Sequence, residues 1–171
     1  LLGGLTTLEI ARAFLQPEPT IAQRIVRAKR TLAQKQVPYE VPRAEAMPER
    51  LGSVLEAIYL VFNEGYAASS GDDWMRPALC EEALRLARIL AYRMPVAPVL
   101  GLLALMELQA SRAAARVDAR GAAVVLDQQN RARWDWLQIE RGQQLLARAL
   151  AAGGSDDPYV LQARIAACHA G

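Results

Sequence analysis

The sequence predicts an all-α chain, a small helix-turn-helix module followed by a larger helical body, from three observations. Apolar residues make up 53% of the 171 positions, Ala and Leu dominate them, and β-branched runs are few. Apolar positions recur at spacings of three and four, the period of an amphipathic helix. Pro and Gly fall between these stretches, so the helices are delimited as well as periodic.

The first helix opens at Thr6, with Glu9 three residues later, the spacing of a capping box. Leu8, Ala11 and Leu15 share one predicted face, with Ile10 and Phe14 beside it. Pro17 and Pro19 stop this helix, because each lacks a backbone donor and disfavours helical geometry in the residue before it. Pro19 or Thr20 opens the next helix, since Pro is tolerated in a first turn.

In the second helix Ile21, Ile25, Ala28 and Leu32 form one narrow apolar stripe, the face expected to pack. At about 100° per residue, Gln23, Arg27 and Arg30 point the opposite way, flanked by Thr20 and Arg24 on one side and Val26 and Lys29 on the other. Arg and Gln are the side chains that make paired hydrogen bonds to guanine and adenine edges. A short helix, a Pro-marked turn and a longer basic helix follow the order of a helix-turn-helix that lays its second helix in a DNA groove. The geometry makes Thr20, Gln23 and Arg27 the base-edge candidates and Arg24, Lys29 and Arg30 the phosphate contacts.

The charge distribution agrees. Residues 1–35 hold six basic groups and two acidic ones, net +4; with the chain at +2, the remainder carries −2. A basic module on a mildly acidic body is the asymmetry expected when only one part approaches phosphates.

Residues 36–48 carry Pro38, Pro42 and Pro48 and read as an extended, semi-rigid connector. Residues 49–171 then read as successive helices. Leu51, Leu55, Ile58 and Phe62 form a stripe that Asn63-Glu64-Gly65 is expected to end, and Ala67 to Asp73 is a loop. Arg76 to Tyr92 is helical, with Leu79, Ala83, Leu86 and Leu90 inward and Glu81, Arg85 and Arg88 outward. Val96 to Arg116 is apolar nearly all round at first, the mark of a central helix. Asp118 to Asp127, with Gly121, suits a loop or a short strand pair. Helices over 133–151 and 157–170 follow, parted by Gly153-Gly154-Ser155. Paired helices of this length make a bundle or a tetratricopeptide-like stack, although no clean 34-residue period is present.

The run from Gly3 to Arg30, Gly-Gly-Leu-Thr-Thr-Leu-Glu-Ile-Ala-Arg-Ala-Phe-Leu-Gln-Pro-Glu-Pro-Thr-Ile-Ala-Gln-Arg-Ile-Val-Arg-Ala-Lys-Arg, resembles the region-4 helix-turn-helix of bacterial RNA polymerase sigma factors of the extracytoplasmic-function group. Tyr-Leu-Val-Phe-Asn-Glu-Gly-Tyr at 59–66 resembles a hallmark of one subgroup, whose members carry a long helical extension after region 4. Leu-Cys-Glu-Glu-Ala-Leu-Arg-Leu-Ala-Arg at 79–88, Gly-Leu-Leu-Ala-Leu-Met at 101–106, Arg-Trp-Asp at 133–135 and Ala-Ala-Cys-His-Ala at 166–170 fit the same extension. The resemblance implies a cytoplasmic transcription initiation factor that reads the promoter −35 element. The implied partners are the β-flap and β′ subunits of RNA polymerase, and the mildly acidic body on its Pro-rich connector is expected to contact the parent's own N-terminal sigma region. The chain opens on Leu-Leu-Gly-Gly, contains nothing like the promoter-melting region 2, and stops at Gly171, so a fragment of a longer protein is expected.

No catalytic constellation competes with this reading, and neither cofactor nor metal is expected. Cys80 and Cys168 each lie in an apolar helical pattern and read as buried thiols. His169, the single histidine, adjoins Cys168 without further ligands at metal-binding spacing. Asp72-Asp73 and Asp156-Asp157 precede helices, where acids favour the positive helix end. Trp74, Trp134 and Trp136 read as core or partner-surface residues rather than base-stacking platforms. In Phe62-Asn63-Glu64-Gly65-Tyr66, packing tyrosines and helix-end hydrogen bonds are favoured over a binding pocket. No apolar run reaches the length of a membrane span; Val96 to Met106 is broken by Pro98 and ends at Glu107. Two other classes remain open: a helix-turn-helix repressor with a helical ligand-binding domain, and a helical protein-interaction scaffold.

Overall fold

The computed structural model describes residues 5–36, 46–67 and 75–170. Among these the long elements are all α-helices: α1 (Thr7–Ala13), α2 (Glu18–Gln34), α3 (Met47–Tyr66), α4 (Pro77–Arg93), α5 (Ala97–Ala110), α6 (Trp136–Ala151) and α7 (Pro158–Cys168). An isolated bridge between Val117 and Ala123 is the one extended pairing among the described residues.

The body is built around α5. Val99 to Leu108 is buried without interruption, because the segment is apolar on every side and three helices cover it. Helices α4, α6 and α7 pack on α5, while α3 packs on α4 and touches α5 at its edge. Each fully buried Leu of this helix contributes about 1.5–3 kcal/mol of transfer free energy. Two glycines set how closely the helices approach. A Cβ on Gly101 of α5 would lie 2.5 Å from Val160 Cγ2 and 2.9 Å from the Val160 backbone nitrogen on α7. A Cβ on Gly65 of α3 would lie 2.6 Å from the Cys80 backbone nitrogen on α4.

That close approach explains the first difference from the sequence reading. Asn63-Glu64-Gly65 does not end α3, which runs on to Tyr66. Gly65 is a contact point inside the helix instead of a stop, and helix–helix packing outweighs its low propensity of about 1 kcal/mol. At the other end, Met47 and Pro48 belong to the first turn of α3, so the expected connector is shorter than 36–48. Its residues 37–45 lie outside the described residues, as do 68–74, which hold most of the expected loop, Asp72, Asp73 and Trp74.

The inward face of α4 is rotated from its expected position. Cys80, Ala83, Leu84, Ala87 and Ala91 are buried, whereas Leu79, Leu86 and Leu90 flank them half-buried. Small residues face α3 and α5 because those neighbours approach closely, a requirement that hydropathy alone does not encode.

Beyond α5 the expected helix to Arg116 breaks at Ser111, whose hydroxyl donates to the Leu108 carbonyl at 2.8 Å. A short 3-10 turn at Ala113–Ala115 follows. The loop after it folds around Asp118, whose carboxylate accepts from the Arg120 and Ala122 amides. Gly121 there takes a φ of +79°, a left-handed conformation natural to glycine. Helix α6 begins at Trp136, three residues later than expected, where Asp135 caps the Gln138 amide. Asp157, expected as an acid at the positive end of a helix, caps α7 by accepting from the Tyr159 and Val160 amides.

Candidate nucleic-acid interface

At the N-terminal module, the capping box forms as the spacing predicts: Thr6 Oγ1 accepts from the Glu9 amide at 3.2 Å, and Glu9 Oε2 accepts from the Thr6 amide at 2.5 Å. Helix α1 ends at Ala13, however, and Leu15 sits in the turn with a φ of +51° and 91% of its surface exposed. Pro17 disfavours helical geometry at Gln16, so the chain leaves the helix before Leu15 can join the Ala11 face. Leu8 and Phe14 are also exposed, and Ala11 is the apolar residue that α1 buries.

Helix α2 opens with Pro17 as its N-cap and Pro19 in the first turn. Of the expected apolar stripe, Ile21 is buried and Ile25 half-buried, but Ala28 and Leu32 are exposed among the described residues. The cause is length. At 1.5 Å per residue, seven-residue α1 spans about 10 Å and covers only the start of α2, which spans about 25 Å. Packing therefore fixes α2 near Ile21, and the helix extends from there.

Gln23, Arg24, Arg27, Lys29 and Arg30 are all exposed, and Thr20 is half-buried at the first turn. Gln23, Arg27 and Arg30 lie roughly opposite Ile21 around the helix, hence away from the α1 contact. None of the four cations joins an ion pair among the described residues. The six predicted residues thus share one element, with the polar row on its outer surface.

Three groups that the sequence reading did not join tie this module to the body. Glu9 is 5% exposed, and besides its capping role it is ion-paired with Arg76, which precedes α4. Arg76 also lies 3.8 Å from buried Glu64 of α3, and its backbone amide donates to the Gly65 carbonyl at 2.7 Å. Burial acts to raise the Glu9 pKa, but the hydrogen bonds from Thr6 and the Arg76 guanidinium together hold it below the usual carboxylate value. A cleft of about 270 Å³ opens beside this junction between α1 and α3, lined by Leu5, Glu9, Arg12, Leu60, Asn63 and Tyr66. Tyr66 packs on Phe62, with ring centroids 5.5 Å apart. Arg116 covers its outer face at 3.7 Å from the centroid and donates to its carbonyl at 2.5 Å. Phe62 and Tyr66 thus pack on each other as expected, while Asn63, Glu64 and Tyr66 also line the cleft and Glu64 meets a guanidinium instead of a helix end.

Cys80 is buried and its thiol pKa is pushed up to about 11, chiefly by desolvation, which makes it a poor nucleophile. Cys168 is exposed, contrary to the sequence reading, because α7 turns that side away from α5. Trp134 is buried and Trp136 half exposed, with ring centroids 6.1 Å apart. No group of His, Cys, Asp and Glu suited to a metal is present among the described residues. No described helix is long and apolar enough to cross a membrane.

The chain is 44% identical over 171 residues to R00370, an uncharacterized protein of Rhizobium meliloti (strain 1021). The match covers 99% of the chain and 40% of that relative, so the chain spans well under half of the relative's length. No solved structure matches. The family described as a family of unknown function, DUF6596, matches residues 50–150, the body from α3 to the end of α6, and the chain belongs to that family.

Proposed function

We propose that this chain is part of a bacterial transcription initiation factor of the sigma class. In this reading α2 meets the promoter −35 element, and the helical body regulates that module or docks it on RNA polymerase. The observation that carries the proposal is the exposed row of Gln23, Arg27 and Arg30, flanked by exposed Arg24 and Lys29, on a helix held at its start by α1. Such a row provides side chains for base edges and for phosphates on one surface, as groove recognition requires. The resemblance of residues 3–30 to the sigma region-4 helix-turn-helix and of residues 59–66 to the extension subgroup supports the assignment.

Binding sites selected from a randomised duplex pool, followed by anisotropy titrations at several salt concentrations, test it. Arg27→Ala is expected to cost about 1–3 kcal/mol on the selected site and little on random DNA. Lys29→Ala is expected to weaken both equally and to reduce the salt slope by about 1. Equal losses for Arg27→Ala on every sequence place it on phosphate. Failure of the chain to bind duplex DNA at low salt overturns the reading.

A further inference from the structure

A second concave surface lies on the body, on the groove that α4 and α6 form over α5. Its cavity measures about 330 Å³ and is lined by Arg88, Tyr92 and Pro95 on the α4 side, Leu103 beneath, and Leu145 and Arg148 of α6. That volume is at the small end of ligand pockets and suits one or two inserted side chains. Tyr92 is 84% exposed, unusual for an aromatic residue.

The rim is cationic although the body as a whole is mildly acidic. Glu107 of α5 is 1% exposed, and its Oε1 accepts from Arg88 Nε at 2.8 Å. The Arg88 Nη2 lies 2.7 Å from the same oxygen. Glu107 Oε2 has no hydrogen-bond partner and lies 3.9 Å from Arg141 Nε. Arg141, Leu145 and Arg148 follow at spacings of four and three on α6, so they share one face. Arg148 makes no ion pair among the described residues. Arg88 and Arg141 thus lie beside one buried carboxylate while Arg148 lines the groove without an ion pair, leaving an excess of positive charge around an apolar floor. The carboxylate holds the Arg88 guanidinium in place, which lowers the entropy lost when it meets an anion.

We propose that this groove binds an acidic peptide segment bearing a large apolar side chain. That side chain fills the space over Leu103 and Leu145 beside Tyr92, and its flanking carboxylates meet Arg88, Arg141 and Arg148. Charge complementarity selects the partner, and the apolar floor selects a peptide over a phosphate backbone. This inference is independent of the DNA reading of α2.

The test uses the whole chain and three labelled peptide probes: a central Trp flanked by Glu and Asp, the same peptide with Lys flanks, and the acidic peptide with Gly in place of Trp. Anisotropy is expected to rank the acidic Trp peptide first, and Arg148→Glu to weaken it about tenfold or more. Tyr92→Ala is expected to weaken it by a smaller factor. Both side chains are exposed, so both variants should keep the thermal transition of the parent chain. Amide shifts on peptide addition are expected at Leu103, Leu145 and Arg148. The proposal is overturned if the acidic Trp peptide does not bind, or if either control binds equally well. It also fails if Arg148→Glu leaves binding unchanged, or if the shifts map to α2 and duplex DNA displaces the peptide.

Discussion

Helices α2 and α5 have similar lengths, 17 and 14 residues, and opposite environments. Eleven residues of α5 are buried, so nearly every side chain there is committed to the fold. In α2 Ile21 is the buried residue and Thr20, Ala22 and Ile25 are half-buried, so most of its surface is exposed. The composition follows the environment: α5 carries one charged residue, Glu107, whereas α2 carries five, Glu18, Arg24, Arg27, Lys29 and Arg30. A helix that is apolar all round stabilises the body, and a helix attached by one end leaves most of its side chains exposed.

Truncating the core of α5 is expected to have the largest effect. Leu105→Ala leaves a cavity among closely packed helices and should cost about 2–5 kcal/mol in denaturant unfolding. A loss under about 1 kcal/mol would mean that α5 is less tightly surrounded than its burial indicates.

The one charged residue of α5 provides a second, smaller test. Arg88→Met leaves the Glu107 carboxylate buried with Arg141 as its nearest cation at 3.9 Å. A cost of about 2 kcal/mol is expected, below the range for a wholly buried pair because Arg88 is half exposed. Adding Glu107→Gln should restore much of the loss, a coupling that a double-mutant cycle measures. Additive losses would show that the two groups act separately.

At the junction of module and body the readout is pH. The folded Glu9 pKa is held below its ordinary value, so its stabilising contribution is present above the ordinary carboxylate range and is lost as pH falls through the folded pKa. Glu9→Gln is expected to be less stable than the parent at neutral pH and to close the gap as the solution is acidified below that range. A gap unchanged across the acid limb would remove the Glu9–Arg76 pair as its cause. At the bottom of the scale, Leu32→Ala on α2 should change stability by no more than about 0.5 kcal/mol, since this side chain is 56% exposed.

Much of this contrast was legible in the sequence, for reasons particular residues make plain. The apolar run from Val99 to Met106 announced a central helix, and Thr6 with Glu9 announced a capping box, because capping depends on residues within one turn. The polar row on α2 was equally readable, since a single helix fixes the relative directions of Gln23, Arg27 and Arg30. Glu107 is a further signal in the sequence: an acid inside an apolar helix needs a cation close by, yet the sequence does not say that Arg88 supplies it. Glu9, Glu64 and Arg76 were unreadable as a group, because they come from separate elements that only packing brings together.

The sequence by itself determined the helical class, most helix boundaries and the identity of the basic helix, all of which follow from periodicity, caps and prolines acting over a few residues. Tertiary structure decided which apolar residues are covered. Leu15 and Leu32 have the pattern of buried residues and are exposed, since α1 ends early and is too short to cover α2. Gly65 has the pattern of a helix stop and lies within α3, since α4 passes too close for any side chain there. Burial depends on the lengths and separations of neighbouring elements, and those are fixed only when the helices pack.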